Sequence, residues 1–479
     1  MSKHLFSASL LLAISLVVGK SAWGDDNAQS PEPMPPQLEA TIKAFEAIGG
    51  MHEYRECYGF PSLKFHFFGL KLDSTDADIK KMPVVPFPFA FTSISNSITD
   101  LGVAELAKQK NMRALNLVDA QISGQGLAEL THVKDLEVLN LSNSSIQDKG
   151  LEALSNFPQL RALRLGNTEV TDDCFVYVSR LKDLEALDLR FTQVQGKKLN
   201  ELKPCEKLQQ LLFSGCPVTD ERLQELGKRE ALEGLDLDYT QVTDNGTKTL
   251  ENFPNLRNLS LSATKIADQG LEDVGKQKRL QRLYLSGTRV TDEGMSHLGG
   301  LDQLEELALS ETKVQDAGLA KLSDLKNLNN LKLIRTQVTG TGFDAFSDVP
   351  LQTLNLSHAP ISDSGMKAIA QIKTLKELTL DHVPLSDEGA KQLASLDNLT
   401  LLSLGHSNIG EEGLKSVSQM SKLRVLDLSD TPVSDDSIKE LAKLKELRLL
   451  YLSGSVITKD SIAQLKKALP NCDIQSDSK

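Results

Sequence analysis

The stretch Leu283-Tyr284-Leu285-Ser286-Gly287-Thr288-Arg289-Val290-Thr291-Asp292-Glu293-Gly294-Met295-Ser296-His297-Leu298-Gly299-Gly300-Leu301 decides the architecture. Its frame is Leu-x-Leu, then Thr-x-Val-Thr-Asp-x-Gly, then apolar residues three apart. The first leucine of the frame recurs every 24 residues at Leu115, Leu139, Leu163, Leu187, Leu211, Leu235, Leu259, Leu283, Leu307 and Leu331. One residue is then lost, and the series resumes at Leu354, Leu378, Leu402, Leu426 and Leu450. Self-similarity at a fixed period of this length means a solenoid, in which each unit buries its apolar face against the next.

Each unit reads as strand, corner and short helix. Leu283 and Leu285 point inward and Tyr284 outward, because side chains alternate along a strand. Thr288 sits at the corner, where its hydroxyl can satisfy backbone groups that would otherwise be buried without partners. Val290 turns inward again. Thr291 and Asp292 offer oxygen acceptors to the open amides that start a helix, and Met295 and Leu298 pack that helix on the sheet. Helices take more room than strands, so the stack should bend into a horseshoe. The expected fold is an α/β solenoid with a parallel sheet on the concave face and short helices on the convex face.

Outward from these units, residues 1–24 read as a cleavable signal peptide. Lys3 and His4 precede an apolar run from Leu5 to Val18, and Ala22-Trp23-Gly24 supplies a small-x-small pattern before Asp25. The run is too short to span a bilayer. A secreted or periplasmic location follows as the expectation, with no membrane insertion after cleavage. Residues 25–36 are acidic and proline-rich and suit a linker. Residues 37–60 should cap the first repeat edge, beginning with a helix from Gln37 to Ile48 that Gly49-Gly50 stops. The solenoid is expected over 61–475 in about 17 units. In the first, Phe65 and Phe67 stand for the two leucines, with Leu72, Asp76 and Ile79 at the following offsets. The second starts at Phe91. Ile474 should make a final strand, and residues 476–479 a polar tail.

The units Thr168-Glu169-Val170-Thr171-Asp172, Thr240-Gln241-Val242-Thr243-Asp244 and Thr288-Arg289-Val290-Thr291-Asp292, with the closing Leu-Lys-Lys-Ala-Leu-Pro-Asn-Cys at 465–472, resemble bacterial secreted leucine-rich-repeat proteins. The resemblance covers roughly residues 60–475. It implies recognition of a protein or glycan on the concave sheet and names no partner. The Thr-Asp-x-Gly-Leu turn is also loosely similar to repeats of F-box substrate adaptors in ubiquitin ligases. Here no F-box-like domain precedes the repeats and an export signal does, which disfavours that function.

No Gly-x-Ser-x-Gly, His-Glu-x-x-His, Walker loop, dinucleotide glycine fingerprint or Cys-x-x-Cys occurs. No enzyme activity, cofactor or metal is expected. The net charge of -12 opposes nucleic acid as a partner. Of the five cysteines, only Cys205 and Cys216 stand where a disulfide merits testing.

Function should lie where the frame leaves residues free. One departure from the usual Ser and Gly filling is the set Asp188, Arg190, Phe191, Asp236, Asp238, Tyr239, Arg282 and Tyr284, a mix of aromatic, arginine and acidic residues that suits a partner-binding patch. A second is the row His358, His382 and His406 at one offset, with Asp381 beside it and Arg335 and Asp430 at its ends. Collinear histidines suit tetrahedral metal coordination poorly, so the row reads as a polar patch. Two readings of the whole remain open: a recognition module, or an envelope spacer whose repeats supply length. Neither predicts an oligomeric state.

Overall fold

The computed structural model describes residues 37–57 and 60–477. The signal-peptide and linker expectations for residues 1–36 lie outside the described residues. A single sheet of 19 strands runs through the described chain. From the strand β2 (Phe60–Gly69) onward every pairing is parallel and joins neighbours in sequence. Most strands are three residues long, and the leucines meet in register: Leu115 with Leu139, Leu283 with Leu307, Leu450 with Ile474. Leu331 pairs with Leu354 in the same register although their spacing is one residue shorter. The missing residue comes out of the helix-to-strand loop at Val349–Leu351, where the Leu351 amide bonds the Val349 carbonyl at 2.8 Å.

Short α- and 3-10 helices connect the strands and lie on the other face. A helix is about 10 Å across and strands are spaced about 4.8 Å, so the sheet lines the concave side. Leu283, Leu285, Val290, Met295 and Leu298 are all fully buried between the layers. At the corner, Thr288 Oγ1 donates to the Leu285 carbonyl at 2.6 Å, and Thr168, Thr192, Thr240, Thr264 and Thr312 repeat the bond.

The frame's aspartate acts differently from the sequence expectation. Thr291 caps its own helix by accepting from the Glu293 amide. Asp292 does not; it accepts from the Gln315 amide of the next unit at 2.6 Å. Likewise Asp268 accepts from the Thr291 amide and hydroxyl, each at 2.7 Å. The pattern recurs between Asp76 and Asp435, except in the units where Gly124, Gly196, Gly340 or Glu411 takes the aspartate's place. It also explains the frame glycine: a Cβ on Gly294 would lie 2.5 Å from Asp268 Oδ1. Asp and Gly are thus two halves of one joint between successive units.

The amino-terminal end departs from the expected register. Helix α1 (Leu38–Ala47) forms as predicted and buries Leu38 and Phe45. Strand β1 (Met51–Cys57) was not expected; it pairs antiparallel with β2 as a hairpin. Phe68 pairs with Phe91, which pairs with Leu115, so Phe68 and Leu70 are the leucine equivalents, not Phe65 and Phe67. A shift by an odd number of residues, here three, sends every side chain to the opposite face: Phe67 lies on the concave side with the Arg55 guanidinium 4.1 Å from its ring centroid. Leu72 is 74% exposed rather than core.

Candidate functional site

Four rows of side chains cover the concave side of the solenoid: the residue before the first leucine, the residue between the leucines, and the two residues that follow the second leucine into the corner. The last of these has positive φ throughout, at Asp119, Asn143, Asn167, Phe191, Gly215, Tyr239, Ala263, Gly287, Glu311, Arg335, His358, His382, His406, Asp430 and Gly454. The left-handed conformation favours Gly and Asn and strains bulky residues. Phe191, Tyr239, Arg335 and the three histidines therefore occupy positions that backbone energetics alone would give to something smaller.

The structure brings part of the first predicted set together. Phe191 is 59% and Tyr239 66% exposed, two units apart on the corner row. Between them lies Gly215, where a Cβ would meet the Phe191 ring at 2.4 Å, so the ring lies against bare backbone. Asp188 is buried and held by Arg190, whose Nε and Nη2 donate to its two carboxylate oxygens at 2.9 and 2.7 Å. It supports Arg190 and is not itself a contact surface. Asp236 accepts from the Asp238 amide at 3.0 Å, and Asp238 from the Ser260 hydroxyl and the Ser262 amide at 2.5 and 2.6 Å. Burial pushes the Asp236 carboxyl up to about 6 and raises that of Asp238 as well. Tyr284, expected to project outward, is half-buried, and its hydroxyl donates to Glu306 at 3.0 Å. Burial, with the Glu306 charge behind it, raises its phenol well above the ordinary value. Arg282 Nη1 donates to Asn258 at 3.1 Å. Arg282 and Tyr284 are thus each bonded to an adjoining unit, two units along the sheet from Tyr239.

The second set is also assembled. The His358, His382 and His406 rings stack in one line, flanked by Arg335, which pairs with Glu311 at 3.2 Å, and by Asp430, 3.3 Å from His406 Nε2. Lone pairs of stacked imidazoles lie in parallel planes and do not converge on one point. Among the described residues no group of three or more His, Cys, Asp or Glu side chains is arranged to hold a metal ion. Cys205 and Cys216 are free, buried thiols bonded to the Val178 and Leu189 carbonyls, so the disulfide considered from sequence does not form.

A family model described as Leucine Rich repeat matches residues 134–155, 278–299, 349–370 and 419–442. No curated protein matches the chain. A solved leucine-rich-repeat protein of Leptospira interrogans is 22% identical, with a TM-score of 0.55 over 78% of this chain and 91% of that one. The fold is that of a leucine-rich-repeat solenoid. An internalin from Listeria monocytogenes is likewise 22% identical, covering 68% of this chain and 83% of that one at a TM-score of 0.45. TLR13, solved as a complex with ssRNA13, is 18% identical, covering 82% of this chain and 65% of that one at a TM-score of 0.51.

Set against the leucine-rich-repeat frame, one concave feature escaped the sequence reading. Phe67, Ala90, Ala114, Val138 and Ala162, the residues before the first leucine, form a buried apolar strip at the amino-terminal end. Beside it Arg161 bridges Glu185 at 2.9 Å and Glu137 at 3.5 Å. The signal was present as small apolar residues at one offset, but alanine at a strand's outward position does not announce a cluster.

Proposed function

We infer that this chain is an exported, non-enzymatic recognition module that holds a protein or glycan ligand against its concave sheet. The observation that carries this reading is the exposure of Phe191 and Tyr239 at left-handed corner positions. Large aromatics there cost backbone energy and bury little of themselves, and exposed aromatics beside arginine are the usual anchors of an interface. Support for a binding rather than catalytic role comes from the frame itself, which leaves few irregular loops to hold a reacting constellation. The acidic charge argues against a nucleic-acid ligand such as the one in the TLR13 complex.

The reading is tested by affinity capture from secreted or periplasmic extract with wild type, a Phe191→Ala/Tyr239→Ala double variant, and a helix-side control, Lys321→Ala. A partner retained by wild type and control and lost by the double variant is expected. Equal capture by all three favours the spacer reading. Export has its own test. Trp23 is the chain's one tryptophan, so the mature protein isolated after export should emit only tyrosine fluorescence. Tryptophan emission from that material would reject cleavage after Gly24.

A further inference from the structure

His358, His382 and His406 are used neither by the solenoid frame nor by the aromatic patch. They come from three successive units at the same corner position. Their ring centroids lie 4.2 and 3.9 Å apart, with the planes 11° from parallel in both pairs. Two imidazolium charges at that separation oppose each other strongly enough to cost a several-fold loss of proton affinity even in water-like surroundings. Neutral rings at the same spacing attract by dispersion.

The charged groups facing the row can be named from each element packed around it. Arg335 stands at one end, paired with Glu311. Asp430 closes the other end against His406. Behind the rings, Asp381 accepts from the Ser403 hydroxyl and from the Gly405 amide at 3.0 Å, with Asp427 as its charged neighbour. His358 and His382 are both held below the ordinary imidazole value, first by burial and then by the ring next in line.

The corner position has a non-titrating solution elsewhere in the same molecule. Near the other end Asn167 Nδ2 donates to Asn143 Oδ1 at 3.0 Å, and Asn143 Nδ2 to Asp119 Oδ1 at 2.9 Å. Asparagine satisfies the left-handed backbone and bonds from unit to unit without changing its own charge. The histidine row fills the same geometry with groups that change charge between about pH 5 and 8.

We propose that His358, His382 and His406 form an acid-responsive rib at the margin of the concave face, stacked and neutral at neutral pH and charged and splayed on acidification. The surface between Arg335 and Asp430 then gains positive charge. The rib is a property of the chain alone and stands whether or not the aromatic patch takes a ligand.

The test follows the histidine ring resonances of the full chain by NMR, with selective labelling, from about pH 8 to about pH 4.5. Wild type, His382→Asn and His406→Asn are compared; asparagine already occupies this corner at Asn143 and Asn167, so the fold has a precedent for it. Broad, mutually dependent titrations of the three rings are expected. His382→Asn should raise the midpoint of His358 by about half a pH unit, and His406→Asn should raise that of His382 by a similar amount. Ring-to-ring Overhauser contacts present at neutral pH should vanish in acid. Three independent titrations that neither variant moves would overturn the proposal, as would contacts that survive full protonation.

Discussion

Asp316 and Asp236 are the same residue in two faces of the solenoid, both half-buried, and folding moves them in opposite directions. On the helix side, burial works against the Asp316 charge. The amides of Gly342, Gly340 and Thr339 and the Thr339 hydroxyl outweigh it, and its carboxyl falls below the ordinary value. On the concave side Asp236 has one amide donor, from Asp238, and burial lifts it to about 6. A carboxylate with four donors ties two units together. A carboxylate with one donor and a carboxylate neighbour costs stability at neutral pH. The frame explains the first and has no use for the second, which is where a ligand-binding role would leave its mark.

Four substitutions put pressure on that contrast. Gly294→Ala should have the largest effect, because its Cβ would be driven against the Asp268 carboxylate. A loss of about 2–3 kcal/mol is expected in urea unfolding, and a value near zero would remove the joint from the account. Asp316→Ala should cost about 1–3 kcal/mol, the penalty for stranding amides that had a charged acceptor. Its stabilisation is present above the ordinary carboxylate range and lost as pH falls through the lowered folded value, so variant and wild type should converge in acid. Asp236→Asn should act in the other direction, stabilising by about 1 kcal/mol at pH 7. Its folded value is raised from 3.8 to about 6, so wild type regains that stability as pH falls through 6, and the advantage of the variant should shrink by about pH 4. Melting temperatures at the two pH values check the sign. Phe191→Asn should be the mildest, a gain of about 0.5 kcal/mol from relief of the left-handed corner, measured in the same unfolding series.

Much of this was legible in the sequence because leucine at a fixed interval leaves one way to stack. The register through Leu331 and Leu354 and the closing strand at Ile474 followed from counting alone. Counting failed where aromatics alternate with no leucine to anchor them. Phe65, Phe67 and Phe68 allow two registers, and only the pairing of Phe68 with Phe91 separates them. The inter-unit role of Asp268 was hidden for a different reason: its acceptor geometry suits its own helix start as well as the next unit's amide, and the sequence does not say which is nearer. At the candidate site, the row position of each residue was readable, including one histidine per unit. Depth was not. Asp188 and Tyr284 occupy outward strand positions, yet Asp188 is buried and bonded to Arg190 of its own unit, and Tyr284 is half-buried with its hydroxyl bonded to Glu306 of the next.

The joint between units has a polarity. Each aspartate reaches only toward the carboxyl-terminal side, so a unit's corner is completed by the unit before it. A ribosome delivers the chain in that same order. A unit whose predecessor carries the aspartate therefore emerges to find its acceptor already in place, and the stack can be laid course upon course during synthesis. Shortening from the two ends should be unequal as well: removal of late units leaves idle carboxylates that water hydrates, whereas removal of early ones leaves amides without acceptors at the new first corner.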